Sequence, residues 1–230
     1  MTGTADSALA VERRGPVLVA TMDDGRANAL SVGLSTALRS VLTGAENDPE
    51  VGAVVIAGRP GRFSGGFDLG VLQSGDAEAI GEMVAAGGAL VSHVYGAGVP
   101  VVAACTGHAV AAGALLLLGC DHRVGPDADV KIGLNEVAIG LTLPDWALAI
   151  AVERLSRRHL QAAVANARLY DGAGAVDAGF LDTAVAPDAI LDTAVEHATE
   201  LARLDPRAYA ATVRALRSPT LARMRLQRES

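Results

Sequence analysis

The sequence is poor in aromatic residues and in basic charge, and both shortages limit what the chain can do. Aromatic side chains occupy 3% of its 230 positions, so the volume of a core must come from valine, leucine and isoleucine. Its 19 lysines and arginines are outnumbered by 26 aspartates and glutamates, which leaves a net charge of -7. Because binding to nucleic-acid phosphates requires a basic face, we expect no nucleic-acid partner.

Several sequence motifs for bound groups are also missing. The chain contains neither the Gly-x-x-x-x-Gly-Lys loop of nucleotide hydrolases nor the glycine fingerprint that binds NAD. Its two cysteines, Cys105 and Cys120, stand in apolar surroundings without the spacing of metal ligands. We therefore predict buried free thiols in a reducing compartment, and no metal site.

No segment has the pattern of a targeting or membrane-spanning sequence. The first fifteen residues lack a basic region followed by an apolar one, which is the mark of a signal peptide. The longest apolar region, residues 99–118, is interrupted by proline, threonine, glycine and histidine and is too broken to cross a bilayer. We expect a cytoplasmic protein without membrane contacts.

Local patterns predict a mixture of strands and helices. Alternating apolar residues around Gly15-Pro16 predict a β-hairpin over residues 9–23. Ser31 is a good N-cap for a helix from residue 32 to about 45, and the continuously apolar residues 53–57 predict a buried strand. Glycine-rich residues 58–70 predict a loop. Further helices are predicted over residues 77–95, 145–155, 158–169 and just before Gly179, and two more, with arginines on their outer faces, between residues 188 and 228.

The chain is organised around residues 100–136. Their pattern predicts a buried strand, a small-residue loop at Ala111, Ala112 and Gly113, an apolar helix, a polar corner, a second strand and one acid. The N–H groups at a helix start have no intrahelical partner and carry the positive end of the helix dipole, so they suit a developing negative charge. The alternative is that the small residues only allow the helix to pack closely against a sheet.

Glu136 is the candidate catalytic acid because it lies among apolar neighbours, where acids rarely sit without a partner or a chemical role. Burial would raise its pKa from about 4.3 toward the range of a general base. The alternative is that Glu136 pairs with an arginine such as Arg123 or accepts backbone hydrogen bonds. The other polar residues nearby favour structural roles in corners, packing or helix starts: Asp121, Arg123, His108, His122, Asp68 and Asp145.

Five segments, in order along nearly the whole chain, resemble motifs of the enoyl-CoA hydratase/isomerase family, which is the crotonase superfamily. They are GRANAL at 25–30, AVVIAGRPGRFSGGFDL at 53–69, PVVAACTGHAVAAGALLLLGCDHRV at 100–124, KIGLNEVAIGL at 131–141 and DGAGAVDAGFLDTAV at 171–185. Any one of these motifs is weak, whereas five in register are specific.

The resemblance implies an α/β fold in which a crotonase-like spiral of ββα turns spans residues 1–170. A helical region over residues 171–230 would form homotrimers or hexamers. It also implies an acyl-CoA thioester as substrate, and no cofactor, because coenzyme A is part of that substrate. In the family, two backbone N–H groups bind the thioester oxygen, and by motif position these belong to Phe67 and Ala112. The residues expected to contact substrate lie in the same loops and near the acid: Gly66, Asp68, Leu69, Leu115 and Asp145.

This sequence departs from the family pattern at three points of the expected site. Hydratases of the family hold and activate water with two glutamates; the first falls at Leu115 here, and the second at Glu136. The glycine triplet becomes Ala-Ala-Gly, and Phe67 replaces a usual alanine, which adds bulk to the acyl pocket. One base without its partner fits proton transfer better than water addition, so we predict Δ3,Δ2-enoyl-CoA isomerisation, with residual hydration.

Two alternatives remain open at the level of sequence. One is another thioester reaction of the superfamily, namely hydrolysis, decarboxylation or dehalogenation, which a carboxylate of Asp145 facing the thioester would favour. The other is a non-catalytic acyl-CoA-binding protein that kept the oxyanion loops and lost the chemistry.

Overall fold

The computed structural model describes residues 8–225. The strands in this range are β1 (Leu9–Arg14), β2 (Val17–Met22), β3 (Ala53–Gly58), β4 (Gly61–Ser64), β5 (Val101–Ala104), β6 (Gly107–Val110), β7 (His122–Pro126), β8 (Ile132–Gly133) and β9 (Thr183–Val185). The helices are α1 (Val32–Asn47), α2 (Leu69–Leu72), α3 (Ala77–Gly96), α4 (Ala112–Gly119), α5 (Asp145–Arg154), α6 (Leu160–Val164), α7 (Gly172–Ala178), α8 (Ile190–Leu201) and α9 (Pro206–Arg225). A 3₁₀ turn covers Val137–Ile139.

The strands form two sheets that the chain visits alternately. One sheet has the order β1-β2-β3-β5-β7-β9 and the other the order β4-β6-β8. Three successive turns of the chain each place one strand in the large sheet and the next in the small sheet, and then return through helices. Apart from the antiparallel β1–β2 hairpin, the paired strands are parallel. This is the spiral of ββα turns that the sequence predicts.

The large sheet is covered on both faces, which explains its continuously apolar strands. Every residue of β3 is buried, and alternate residues point to opposite sides. Val54 and Ile56 join the main core with α3 and α4. Val55 joins a smaller core, in which Ile190 and Ala194 of α8 cover the other face.

Several local predictions are confirmed, and two require correction. The β-hairpin forms, and the Ser31 hydroxyl caps α1 by accepting from the Leu34 N–H. The predicted loop over residues 58–70 contains strand β4, because Gly61 and Gly107 let β4 and β6 approach closely; a Cβ at Gly107 would lie 2.1 Å from the Gly61 carbonyl carbon. The helix predicted over residues 158–169 is limited to α6, and the chain then turns at Ala167, whose φ is 51°.

The prediction that the arginines of the last helices face outward is wrong for Arg217. Its side chain is buried and bonds the Asp121 carboxylate and, at 2.8 Å, the Tyr95 carbonyl. Asp121 also accepts from the Val101 N–H and the Tyr209 hydroxyl. The reason is that α9 packs against α3 and α5 rather than lying in solvent.

Arg123 and the two cysteines have the structural roles that the sequence predicts. Arg123 is buried and forms two parallel bonds of 2.7 Å to the Asp182 carboxylate. Cys105 and Cys120 are free and buried, and burial raises the pKa of each thiol to about 12. Within residues 8–225, no helix is long and apolar enough to cross a membrane, and no cluster of histidine, cysteine and acidic residues could hold a metal ion.

Candidate active site

Asn28 is the buried residue that holds the first loop of the candidate site. It has a φ of 51° and no exposed surface. Its side-chain amide donates to the carbonyl oxygens of Met22 (2.9 Å), Arg62 and Phe63 (both 3.2 Å), and its side-chain oxygen accepts from the Asp24 N–H. The sequence contains this asparagine within a family motif, but its role as a tie between β2 and β4 becomes visible only in the structure.

The first loop, residues 64–68, continues from the end of β4. Hydrogen bonds to Asn28 and Leu30 hold its backbone in place. The Ser64 hydroxyl donates to the Asn28 carbonyl at 2.8 Å and accepts from the Gly66 N–H. The Gly66 carbonyl accepts from the Leu30 N–H at 2.8 Å. Across residues 8–225, no protein group accepts from the next N–H along the chain, that of Phe67. Asp68 caps α2 by accepting from the Gly70 N–H at 2.7 Å, as the sequence predicts.

The second loop, residues 110–113, leads from β6 into α4. Ala111 has a φ of 51° and a ψ of -127°, a conformation that L residues rarely adopt and that costs about 1–3 kcal/mol. It is held there because its N–H donates to Gly133 and its carbonyl accepts from Leu115. Ala112 is the first residue of α4, so its N–H has no intrahelical acceptor and lies at the positive end of the helix dipole.

The two loops touch at their glycines. A Cβ at Gly66 would lie 2.9 Å from the Ala111 Cβ and 3.3 Å from the Ala112 nitrogen. A Cβ at Gly113 would lie 2.7 Å from the Ser64 carbonyl oxygen. The loops that carry the N–H groups of Phe67 and Ala112 are therefore neighbours, as expected for two donors that share one oxygen anion.

Glu136 follows β8 and opens the 3₁₀ turn. Its carbonyl oxygen accepts from the N–H groups of Ile139 and Leu141, whereas its Oε2 is buried without a hydrogen-bond partner among residues 8–225. The alternative of an Arg123 pair is wrong, because the Arg123 guanidinium is occupied by Asp182. Burial raises the pKa of Glu136, and a hydrogen bond from its own backbone N–H lowers that pKa to a smaller extent. The carboxylate of Glu136 therefore binds a proton more tightly than that of an exposed glutamate.

The remaining predicted site residues take different positions. Leu115 is buried within α4, so the place of the first family glutamate is apolar. Leu69 is exposed at the start of α2, and Asp145 is exposed at the start of α5. His108 accepts from the Lys131 N–H, in keeping with the packing role predicted for it.

The sequence singles out Phe67 but not the place where its ring packs, and it does not single out Trp146 or the two glycines that these rings contact. The Phe67 ring lies against Gly87 of α3, where a Cβ would be 2.4 Å from its Cε1 atom. The Trp146 indole lies against the next residue, Gly88, where a Cβ would be 3.0 Å from Nε1. The sequence feature that could have indicated these contacts is the Gly87-Gly88 pair inside a helical pattern. Such a pair suggests a weak helix, but here it leaves room for two aromatic rings to pack against α3. Beyond Trp146 lies a cavity of about 650 Å³.

The sequence model of the family described as "Enoyl-CoA hydratase/isomerase" matches residues 12–229 of the chain. The chain belongs to the enoyl-CoA hydratase/isomerase family. The structure is similar to that of an enoyl-CoA isomerase of Mycobacterium tuberculosis, with 40% identity, a TM-score of 0.90 and coverage of 96% of this chain and 95% of that one. The human mitochondrial delta3-delta2-enoyl-CoA isomerase is similar at 27% identity, with a TM-score of 0.91 and coverage of 96% and 87%.

Curated relatives in this enoyl-CoA hydratase/isomerase family carry different reaction names. Mitochondrial enoyl-CoA delta isomerase 1 of Mus musculus is 29% identical, over 98% of this chain and 80% of its own length. Carnitinyl-CoA dehydratase of Citrobacter koseri is 30% identical, over 86% of this chain and 76% of its own length. The chain is therefore an enzyme of this family with the crotonase fold. Because the names of its relatives differ in the reaction, the reaction of this enzyme has to be argued from its site.

Proposed function

We propose that this enzyme isomerises the double bond of a 3-enoyl-CoA, with Glu136 as its single base. The observation that carries the proposal is the buried Oε2 of Glu136, which has no hydrogen-bond partner among residues 8–225, together with Leu115 at the place where the hydratase pattern has its other glutamate. Leu115 is 1% exposed and has no polar side-chain atom. A water molecule at this place would lack the second carboxylate that addition to the double bond uses.

The proposed reaction moves one proton and one double bond. The thioester oxygen accepts hydrogen bonds from the N–H groups of Phe67 and Ala112, which stabilise the negative charge of the enolate. The Glu136 carboxylate removes a proton from C2, and the electron pair of that C–H bond enters the enolate, with its negative charge on the thioester oxygen. When the thioester carbonyl re-forms, that pair makes the C2–C3 double bond, and the π pair of the former C3–C4 double bond takes the proton back from Glu136 at C4. No oxidant, reductant or water is consumed.

The test is a paired absorbance assay with Glu136→Gln as the diagnostic variant. One cuvette holds a 3-enoyl-CoA, in which the conjugated thioester forms, and the other holds crotonyl-CoA, in which hydration removes it. We expect fast turnover in the first cuvette, which the variant reduces by about 10²–10⁴-fold, and slow hydration in the second. Glu78→Gln, in the first turn of α3, is the matched control and should leave both rates unchanged.

Two outcomes would overturn this proposal. Fast hydration of crotonyl-CoA by the wild-type enzyme would show that another group replaces the missing glutamate. Absence of turnover in both cuvettes would instead favour chemistry at Asp145 or a binding protein.

The pH dependence of the rate provides an independent check on the base. Because burial raises the pKa of Glu136 and the reaction needs the deprotonated carboxylate, the rate should fall about tenfold per pH unit below that pKa. It should reach a plateau above it. Rates measured from pH 4 to 9 should show this single limb in the wild type and no such limb in Glu136→Gln. A rate that is flat throughout would contradict Glu136 as the base.

We also propose that the enzyme assembles as a homotrimer or a pair of trimers. Leu148 and Val152, one turn apart on α5, are both exposed, and such a pair suits burial against another subunit. Analytical ultracentrifugation of the purified protein should give a mass of three or six chains, and a monomer would contradict the proposal.

A further inference from the structure

The cavity beyond Trp146 lies outside the predicted catalytic residues and has a distinctive lining. It lies between α1, α3, the start of α5 and the end of α9. One wall is formed by small and apolar residues, among them Val84, Ala85, Ala89 and Met224. At about 650 Å³ it falls within the range of small-molecule pockets.

A continuous line of contacts joins this cavity to the oxyanion loops. Phe67, whose N–H is a proposed oxyanion donor, places its ring on Gly87. Gly88 follows directly, carries the Trp146 indole, and itself lines the cavity. An acyl chain that extends from the thioester past Phe67 along α3 would therefore reach the cavity wall at Gly88, beside Trp146.

Trp146 forms part of the cavity wall, and it is 6% exposed. Its Nε1 lies against Gly88, has no hydrogen-bond partner among residues 8–225 and is not open to the cavity. The indole N–H therefore does not select the ligand, and the chemistry of the ligand follows from the charged residues around the cavity.

The charges around the cavity point to the chemistry of the group that it holds. Arg39 of α1 and Arg225 of α9 both line it, and no carboxylate of residues 8–225 lies within 4.0 Å of either guanidinium. One acid, Glu46, lies beside the cavity and bonds the cavity residue His93 and the Gly98 N–H. Two arginines without an acidic partner among residues 8–225, in a protein of net charge -7, favour a carboxylate ligand.

We infer that the cavity binds the distal end of the substrate's acyl group and that this end carries a carboxylate. The inference rests on the proposed function for the identity of the thioester end. The acyl chain passes Phe67 and Trp146, its apolar part lies on α3, and its terminal carboxylate meets Arg39 and Arg225. The preferred substrates are then thioesters of dicarboxylic acids rather than methyl-ended fatty acids.

Trp146 is the only tryptophan of the chain, so its fluorescence reports binding in the cavity without any catalytic turnover. The probes are two saturated eight-carbon thioesters, octanedioyl-CoA and octanoyl-CoA, which contain no double bond to isomerise. We expect the carboxylate-ended probe to shift the emission and to bind about tenfold more tightly than the methyl-ended one. Arg39→Gln/Arg225→Gln should abolish that preference and leave the affinity for octanoyl-CoA unchanged.

The control variant is Arg203→Gln, at an exposed arginine outside the cavity, and it should keep the wild-type preference. Equal affinities of the two probes for the wild-type enzyme, or an unchanged preference in the double arginine variant, would overturn the inference. The proposed function can fail separately, because that failure would appear in the turnover of 3-enoyl-CoA and its response to Glu136→Gln, which these saturated probes do not measure.

Discussion

The two loops that carry Phe67 and Ala112 and the segment that carries Glu136, which we propose form one site, are held in different ways. The loops are tied to the core by the buried Asn28 and touch each other through glycines. Residues 136–141 form their backbone hydrogen bonds among themselves, and Val137, Ile139 and Leu141 are exposed. The proposed donors lie on backbone with little freedom, and the proposed base lies on a segment with few constraints. A substitution in the Glu136 segment should therefore disturb the fold less than one in the two loops.

The largest effect should come from Gly66→Ala, which places a methyl group between the two oxyanion loops. Its Cβ would lie 2.9 Å from the Ala111 Cβ, at a φ of +89°. We expect a loss of about 10²–10³ in kcat for 3-enoyl-CoA, as for removal of one oxyanion donor, and about 2 kcal/mol in the free energy of unfolding. Gly44→Ala in α1 meets no atom within 4 Å and is the control. Wild-type kcat in Gly66→Ala would show that the loops do not need this contact.

A matched pair of leucines compares the stability of the two regions. Leu115 in α4 is 1% exposed, and Leu141 in the Glu136 segment is 40% exposed. Leu115→Ala should lower the free energy of unfolding by about 2–5 kcal/mol because it leaves a cavity. Leu141→Ala should change it by less than about 0.5 kcal/mol. Urea denaturation of both variants measures the difference, and equal losses would mean that the Glu136 segment is as well packed as α4.

A gain in stability, smaller than the loss from Leu115→Ala, should come from Ala111→Gly, which tests whether the second loop is strained. Ala111 has a φ of 51°, where glycine has no steric penalty. We expect the substitution to raise the free energy of unfolding by about 1 kcal/mol, since relief of strain exceeds the entropy that glycine costs. Ala211→Gly, at an exposed position within α9, is the control and should be destabilising by about 1 kcal/mol. A loss of similar size in both variants would show that Ala111 is not strained.

Much of the fold was accessible from sequence because it depends on local patterns. The hairpin, the α1 cap and the apolar strand β3 follow from alternation, a serine at the N-cap and a continuous apolar run. The small sheet was not accessible, because β4 and β6 are four residues long and pair through glycines, which also signal a loop. The burial of Arg217 was not accessible either, because its partner Asp121 lies 96 residues earlier.

The parts of the site that follow from a sequence motif could be predicted from the sequence. The helix start at Ala112 and the acid at Glu136 could be identified from residues alone, and the structure adds that Glu136 has no ion-pair partner in the described range. The role of Asn28 and the seats for Phe67 and Trp146 could not be identified, because they depend on contacts between segments distant in sequence.

The buried bonds of Arg217 also bear on how the protein is made on the ribosome. Until Arg217 is synthesised, 96 residues after Asp121 and 122 after Tyr95, a carboxylate and a carbonyl of the core lack their cationic partner. At a synthesis rate of about 5–20 residues per second, this interval lasts roughly 5–20 s. During this interval α9 does not yet cover the apolar faces of α3 and α5. Nascent chains of this protein should therefore depend on a chaperone for a period set by translation, and slowing translation late in the message should lower the yield of folded enzyme.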